Sequence, residues 1–373
     1  MKTKSIISFL SILLLTNAAL AGRVYFATGS GGICVGQFDD KTGKLSGLEQ
    51  VYEMENASFL GAHPALPVLY VAAPPKKEGS GIGSVVALKI NPEGSLALLN
   101  QRSAEGIATC HVGTDPSGGI VMAANYVSGS VVSFRAQEDG SLSERVSLNQ
   151  HEGSGENPKR QEGPHAHSVF SNPAGTYAYV PDLGIDKVMI YQIDAAEGSL
   201  IPSGSVDVPG GGIGPRHMKW AADGKYAYVL NELDLSVSVF KAGKECGALE
   251  WIATKSIFPE GADQERMSSA EIRIHPNGKY IYLSVRDLAG KGRDAISVFS
   301  AFELGFDRIA TVSAQVGVPR NFNLDPSGRW LLAGGQRSKN LAIFKVDPGT
   351  GLLEFSETLD FESGPVCIEF IRD

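Results

Sequence analysis

The stretch that decides the fold runs Gln161-Glu162-Gly163-Pro164-His165-Ala166-His167-Ser168, then Val169-Phe170-Ser171, the turn Asn172-Pro173-Ala174-Gly175, the run Thr176-Tyr177-Ala178-Tyr179-Val180 and the exit Pro181-Asp182-Leu183-Gly184. A polar, histidine-rich strand start is followed by a tight turn, an apolar strand and an acidic exit. Proline presets one φ of the turn, and glycine two residues later can take a positive φ, so the chain reverses sharply. The same unit recurs outward in both directions. Its turn anchor stands at Pro64, Pro116, Pro173, Pro276 and Pro326, with Ala222 as the one substitution, and glycine follows at Gly118, Gly175, Gly224, Gly278 and Gly328.

Four and six residues past each anchor come large apolar side chains: Val68 and Tyr70, Ile120 and Met122, Tyr177 and Tyr179, Tyr226 and Tyr228, Tyr280 and Tyr282, Trp330 and Leu332. The positions between them, such as Val121 and Ile281, are apolar too, which marks a strand covered on both faces. A third strand follows, and after it a Gly-x-Leu hairpin, as at Gly94 and Leu96 or Gly198 and Leu200. No long period of 3.6 appears after the first residues, so the chain is all-β. A repeat of about 50 residues is the size of a four-stranded propeller blade. The N-terminal piece, residues 24–45, lacks a first strand, and residues 365–371 supply one and nothing more. The sequence therefore predicts a seven-bladed β-propeller closed by pairing of the N- and C-terminal strands in one blade, a single domain over residues 22–373. Residues 150–163, and the insertions at 76–83 and 287–294, read as loops flanked by complete repeats.

The first residues read as a secretory signal over residues 1–21. Lys2 and Lys4 precede an apolar run at 6–15 and the small-x-small site Ala19-Leu20-Ala21. That predicts export to the periplasm or medium, with no membrane attachment once the signal is cleaved. Without the two leader lysines the balance is 31 basic to 41 acidic residues, or −10. No basic cluster offsets it, so nucleic acid is excluded as a partner. Cys34, Cys110, Cys246 and Cys367 are scattered; they could pair in three ways, but small buried hydrophobes are the simpler reading.

In a propeller the residues just before each first strand and just after each second strand meet at one mouth of the central channel. There the copies stop agreeing. Six and five residues before the anchor stand Cys110-His111, His167-Ser168, Arg216-His217, Ala270-Glu271 and Arg320-Asn321. Nine and ten after it stand Asn125-Tyr126, Asp182-Leu183, Asn231-Glu232, Val285-Arg286 and Gly335-Gln336. A role repeated in every blade would repeat one residue; here each blade brings different chemistry. The predicted convergent set is His111, His165, His167, Asp182, Arg216, His217, Glu232, Glu271, Arg286 and Arg320. Several cations in one mouth of an acidic protein suit an anionic or polarised small molecule. Arg216 with Glu232, or Arg286 with Glu271, could alternatively be ion pairs between blades. His217 and His63 weigh less than His165 and His167: His217 can turn into the blade interface and hydrogen-bond there, and His63, beside its turn, lies at the opposite end of its strand. No nucleophile-elbow, HExxH or paired-Cys motif is present, and arginines beside Glu232 oppose a calcium cage, so neither metal nor other cofactor is expected.

Pro164-His165-Ala166-His167, Pro181-Asp182-Leu183-Gly184, Gly214-Pro215-Arg216-His217, Asn231-Glu232-Leu233 and Pro319-Arg320-Asn321 together resemble the motifs of the seven-bladed propeller lactonase family, which includes 6-phosphogluconolactonase and carboxymuconate cyclase. The resemblance covers essentially the whole chain after the leader. It implies a lactonase acting on a small anionic lactone. The implied catalytic residues are His165 or His167, Arg216, Glu232 and Arg286; the rest of the convergent set, His111, Asp182, His217, Glu271 and Arg320, is expected to bind substrate. A muconate-type cycloisomerase and a non-catalytic exported binding propeller are the alternatives.

Overall fold

In the computed structural model, which describes residues 22–75 and 81–371, seven four-stranded antiparallel sheets follow one another around a central axis. The predicted leader, and part of the insertion at 76–83, lie outside the described residues. Blade 1 runs from the axis outward as Cys367–Phe370, Gly22–Ala27, Ile33–Asp39 and Lys44–Tyr52. Blades 2 to 7 occupy residues 59–107, 109–150, 170–207, 215–256, 267–313 and 319–360 in chain order. The predicted closure is therefore present: Val24 pairs with Phe370 and Ala27 with Cys367. Asn321 and Asn323 of blade 7 hold the closing strand from one side through the Ile368 N–H and carbonyl, each at 2.9 Å. On the other side the Leu60 N–H of blade 2 meets Cys367 Sγ at 3.3 Å.

The double-faced apolar second strands are buried as their sequence requires, Val68–Ala73 and Ile120–Asn125 throughout. Their aromatic residues also tie each blade to the next. Tyr25, Tyr70, Tyr179 and Tyr282 donate their hydroxyls at 2.8 to 2.9 Å to the carbonyls of Gly94, Gly140, Gly247 and Gly351, the hairpin glycines of the following blades. Where blade 3 has Met122 instead, the hydroxyl of its cross-strand partner Ser133 reaches the Gly198 carbonyl at 2.9 Å. Blade 6 replaces the Gly-x-Leu hairpin with a 3₁₀ turn, Phe302–Leu304, and there the Phe302 N–H donates to the Tyr228 hydroxyl at 2.9 Å. Trp330 Nε1 completes the circle at the Asp40 carbonyl of blade 1, 2.8 Å away.

The residue before the turn proline caps the turn. Asp115 accepts from the Ser117 and Ile120 N–H groups at 3.0 and 2.8 Å, and His63 Nδ1 accepts from those of Ala65 and Leu66 at 3.0 and 2.8 Å. His63 thus serves its turn, away from the mouth. All four cysteines are free thiols; Cys367 is buried, while Cys246 is exposed, unlike the small core residue expected. Among the described residues no helix is long and apolar enough to cross a membrane.

Candidate functional site

Alternation along each strand splits the predicted tip residues into two sets. Six positions before the anchor the side chain faces the channel, as at Cys110, His167, Arg216 and Arg320. Ten positions after it, Tyr126, Glu232, Arg286 and Gln336 do the same. These side chains line a cavity of about 410 Å³, a size that holds a small ligand. Their neighbours at five before and nine after turn into the blades: His111, Ser168, His217, Glu271 and Asn321, with Asn125, Asp182 and Asn231, are all buried.

Glu232 is the electrostatic centre of the mouth. It stands just past the second strand of blade 5, where Arg216 of the first strand contacts its Oε2. Arg286 of blade 6 lies 3.3 Å from the same oxygen, and Arg160, from the loop between blades 3 and 4, donates to Oε1 at 2.9 Å. The two strand-borne arginines are fixed by backbone as well: Arg216 Nε donates to the Ala270 carbonyl and Arg286 Nη2 to that of Ser269, each at 2.7 Å. Burial pushes the Glu232 carboxyl up, but the Arg216, Arg286 and Arg160 guanidiniums outweigh it and hold the group well below the usual carboxylate range.

His167 contacts Arg216 through Nε2 and lies 3.9 Å from Glu232 Oε2. Burial, reinforced by the Arg216 charge, depresses its pKa well below that of an ordinary imidazole, so it is neutral. A neutral ring that meets an N–H donor at Nε2 carries its own proton on Nδ1. Arg286 Nε, buried, has no hydrogen-bond partner. Among the lining residues Arg160, Arg216, Arg286 and Arg320 face a single carboxylate, a donor set for an anion or a developing oxyanion and a poor cage for a cation.

The family model described as "Lactonase, 7-bladed beta-propeller" matches residues 20–370. The chain belongs to this lactonase family. Among curated relatives, it is 33% identical to the 6-phosphogluconolactonase of Bacillus subtilis over 93% of this chain and 97% of that protein. It is 31% identical to the 6-phosphogluconolactonase of Formosa agariphila over 87% and 90%. Among solved structures, the periplasmic gluconolactonase of Pseudomonas aeruginosa superposes with a TM-score of 0.86 at 27% identity, covering 94% of this chain and 99% of that one.

In this lactonase-family chain the other residues singled out from sequence lie behind the cavity wall. His165 stacks on Tyr126, with ring centroids 4.6 Å apart and planes at 14°. Its Nδ1 is 3.0 Å from the Tyr126 carbonyl and its Nε2 3.3 Å from Glu162. Asp182 is fully buried. Its Oδ1 accepts from the His165 and Gly184 N–H groups at 2.6 and 2.9 Å, and its Oδ2 lies 2.6 Å from His151 Nδ1. It fixes the segment that carries His167. His111, His217 and Glu271 form a layer beneath the mouth: the two imidazole centroids are 5.4 Å apart, and His217 Nδ1 is 3.2 Å from Glu271 Oε1. Glu271 also bonds Asn321 and lies 3.6 Å from Arg273, so its ionic partner is Arg273 and not Arg286.

Among the lining residues not singled out from sequence are Tyr126 and Arg160. Tyr126 stands in the quoted pairs and would have been found by following the register ten residues past the anchor. Arg160 belongs to no repeat position, and nothing in the periodicity points to it.

Proposed function

We propose that this protein is an exported hydrolase of sugar lactones that works in the mouth lined by His167, Arg216, Glu232 and Arg286. The observation that carries the proposal is Glu232, an ionised buried carboxylate surrounded by guanidiniums, with a neutral imidazole alongside and an open cavity above. The names of the relatives, 6-phosphogluconolactonase and gluconolactonase, support the substrate class, and the periplasmic location in the name of the Pseudomonas aeruginosa protein is compatible with the export signal read at residues 1–21.

Hydrolysis of a lactone adds water across an ester carbonyl. Glu232 takes a proton from the attacking water as the new C–O bond forms, and the charge that grows on the carbonyl oxygen is met by Arg286 and Arg216. Collapse breaks the ring C–O bond, and the proton held by Glu232 passes to the departing ring oxygen, leaving a hydroxy acid. His167, whose Nε2 holds one arm of Arg216, sets the direction in which that guanidinium points. His165 and Asp182 act through Tyr126 and the His167 segment as positioning residues.

The test is acid release from glucono-δ-lactone and its 6-phosphate, corrected for spontaneous opening, with a carboxymuconate followed by ultraviolet absorbance for the cycloisomerase alternative. We expect turnover of a sugar lactone, reduced about 10²- to 10³-fold in Arg216→Ala and in Glu232→Gln, with the far-ultraviolet spectrum of the sheets retained. Turnover of the muconate alone would replace this reading, and unaltered rates in either variant would remove that residue from the mechanism.

A further inference from the structure

The proposed base presents a difficulty that the geometry also resolves. A carboxylate held by three guanidiniums is a weak proton acceptor, and the groups facing Glu232 come from every side: Arg216 of blade 5, Arg286 of blade 6, Arg320 of blade 7, His167 ahead of blade 4, Cys110 and Tyr126 of blade 3, and Arg160. Of the three guanidiniums in contact with Glu232, Arg160 is the one built to leave. Arg216 and Arg286 are buried and tied to backbone carbonyls. The Arg160 side chain is 39% exposed and, besides Glu232, donates among the described residues only to the Tyr126 hydroxyl, at 3.1 Å.

The segment beneath Arg160, by contrast, is firmly held. Gln161 donates its backbone N–H to the Asn157 carbonyl at 2.8 Å and takes the Asn157 N–H on its side-chain oxygen at 2.9 Å. Its side-chain nitrogen reaches the Leu183 carbonyl at 2.8 Å and Asp186 at 2.7 Å. A fixed base thus carries a long cationic side chain across the rim of the cavity.

We propose that Arg160 determines specificity by changing partners: an acidic substituent on the lactone draws its guanidinium from Glu232, and this exchange makes Glu232 a competent base. The inference rests on the lactone-hydrolase reading above. A phosphate monoester or carboxylate competes with Glu232 for a bidentate guanidinium. A neutral lactone has nothing to offer it and meets a base still held by three cations. Recognition of a group remote from the reacting carbonyl is thereby converted into reactivity at that carbonyl.

The experiment compares wild type, Arg160→Gln and Arg160→Lys on glucono-δ-lactone and its 6-phosphate across pH, together with calorimetric binding of the products gluconate and 6-phosphogluconate. Arg160→Gln should lower the ratio of kcat/KM for the phosphorylated over the neutral lactone by roughly 10- to 100-fold. Removing one cation raises the pKa of Glu232, so the acid limb of kcat/KM for the neutral lactone should move to higher pH. Arg160→Lys, which keeps the charge without the planar fork, should restore part of the preference. In the wild type, the kcat profile for the phosphorylated lactone should have its acid limb at higher pH than the kcat/KM profile, because kcat reports the complex in which the exchange has occurred. Equal losses on both lactones with an unmoved acid limb would reduce Arg160 to scaffold and overturn the proposal. If the wild type opened neither lactone, the hydrolase reading would fail separately. Product binding would then decide anion recognition by Arg160: a preference for 6-phosphogluconate abolished by Arg160→Gln supports it, and equal binding in both proteins overturns it.

Discussion

His111, His167 and His217 are neutral for one physical reason, burial, with neighbouring charge as the second influence. Burial takes His217 down to about 4 from an ordinary 6.5, against the pull of Glu271. An imidazole whose folded pKa is depressed takes up its proton in the unfolded chain first, so stability is lost as pH falls from about 6.5 towards 4. Glu232 and Glu271, held low, withdraw their contribution only below about 4.5. The melting temperature should therefore begin to fall before Glu232 and Glu271 titrate, and His217→Gln should flatten that slope; a slope between pH 6.5 and 4.5 that is the same in His217→Gln and wild type would contradict it. At this scale the sequence was half legible. The mouth residues could be gathered from where the repeats diverge, but a pair such as Cys110 and His111 sends one side chain into the cavity and the other between blades, and only strand phase separates them. Arg160 escaped because a residue outside the repeat has no register to be read from.

Turn, apolar strand and hairpin were all visible as elements, since each rests on local chemistry: proline and glycine at the reversal, apolar runs in the strands. What the sequence did not disclose is that the tyrosines of the second strands are also fasteners. Tyr70→Phe would leave the buried Gly140 carbonyl without its donor and should cost about 1 to 2 kcal/mol in denaturant unfolding, with little effect on the cavity at the other end of the strand. Gly43 is the corresponding point in blade 1, at φ +75° with the Trp330 ring directly over it. Gly43→Ala would place a methyl group inside that ring's contact radius and should destabilise more than Tyr70→Phe does, measured the same way. The donor's migration to Ser133 in blade 3 and to Trp330 in blade 7 could not be anticipated from spacing, because it depends on which atoms the twisted sheets bring within reach.

For the molecule as a whole, seven blades and their closure followed from counting incomplete repeats at the two ends, which is topology and needs no side-chain detail. Removing residues from 365 onward should expose the inner edge of Gly22–Ala27, lower the melting temperature sharply and abolish turnover; a truncated protein with unchanged melting and activity would refute the closure. The strand that completes blade 1 arrives 346 positions after the residue it pairs with, Val24 with Phe370, so no ordering of local events can finish the wheel early. A ribosome that has delivered only the first 360 residues has already delivered Glu232 and every arginine around it, yet the rim that keeps them in register is still open. Activity thus certifies that translation ran through to that strand, and a shortened chain would present an unpaired edge to proteases before it presented a working mouth to substrate.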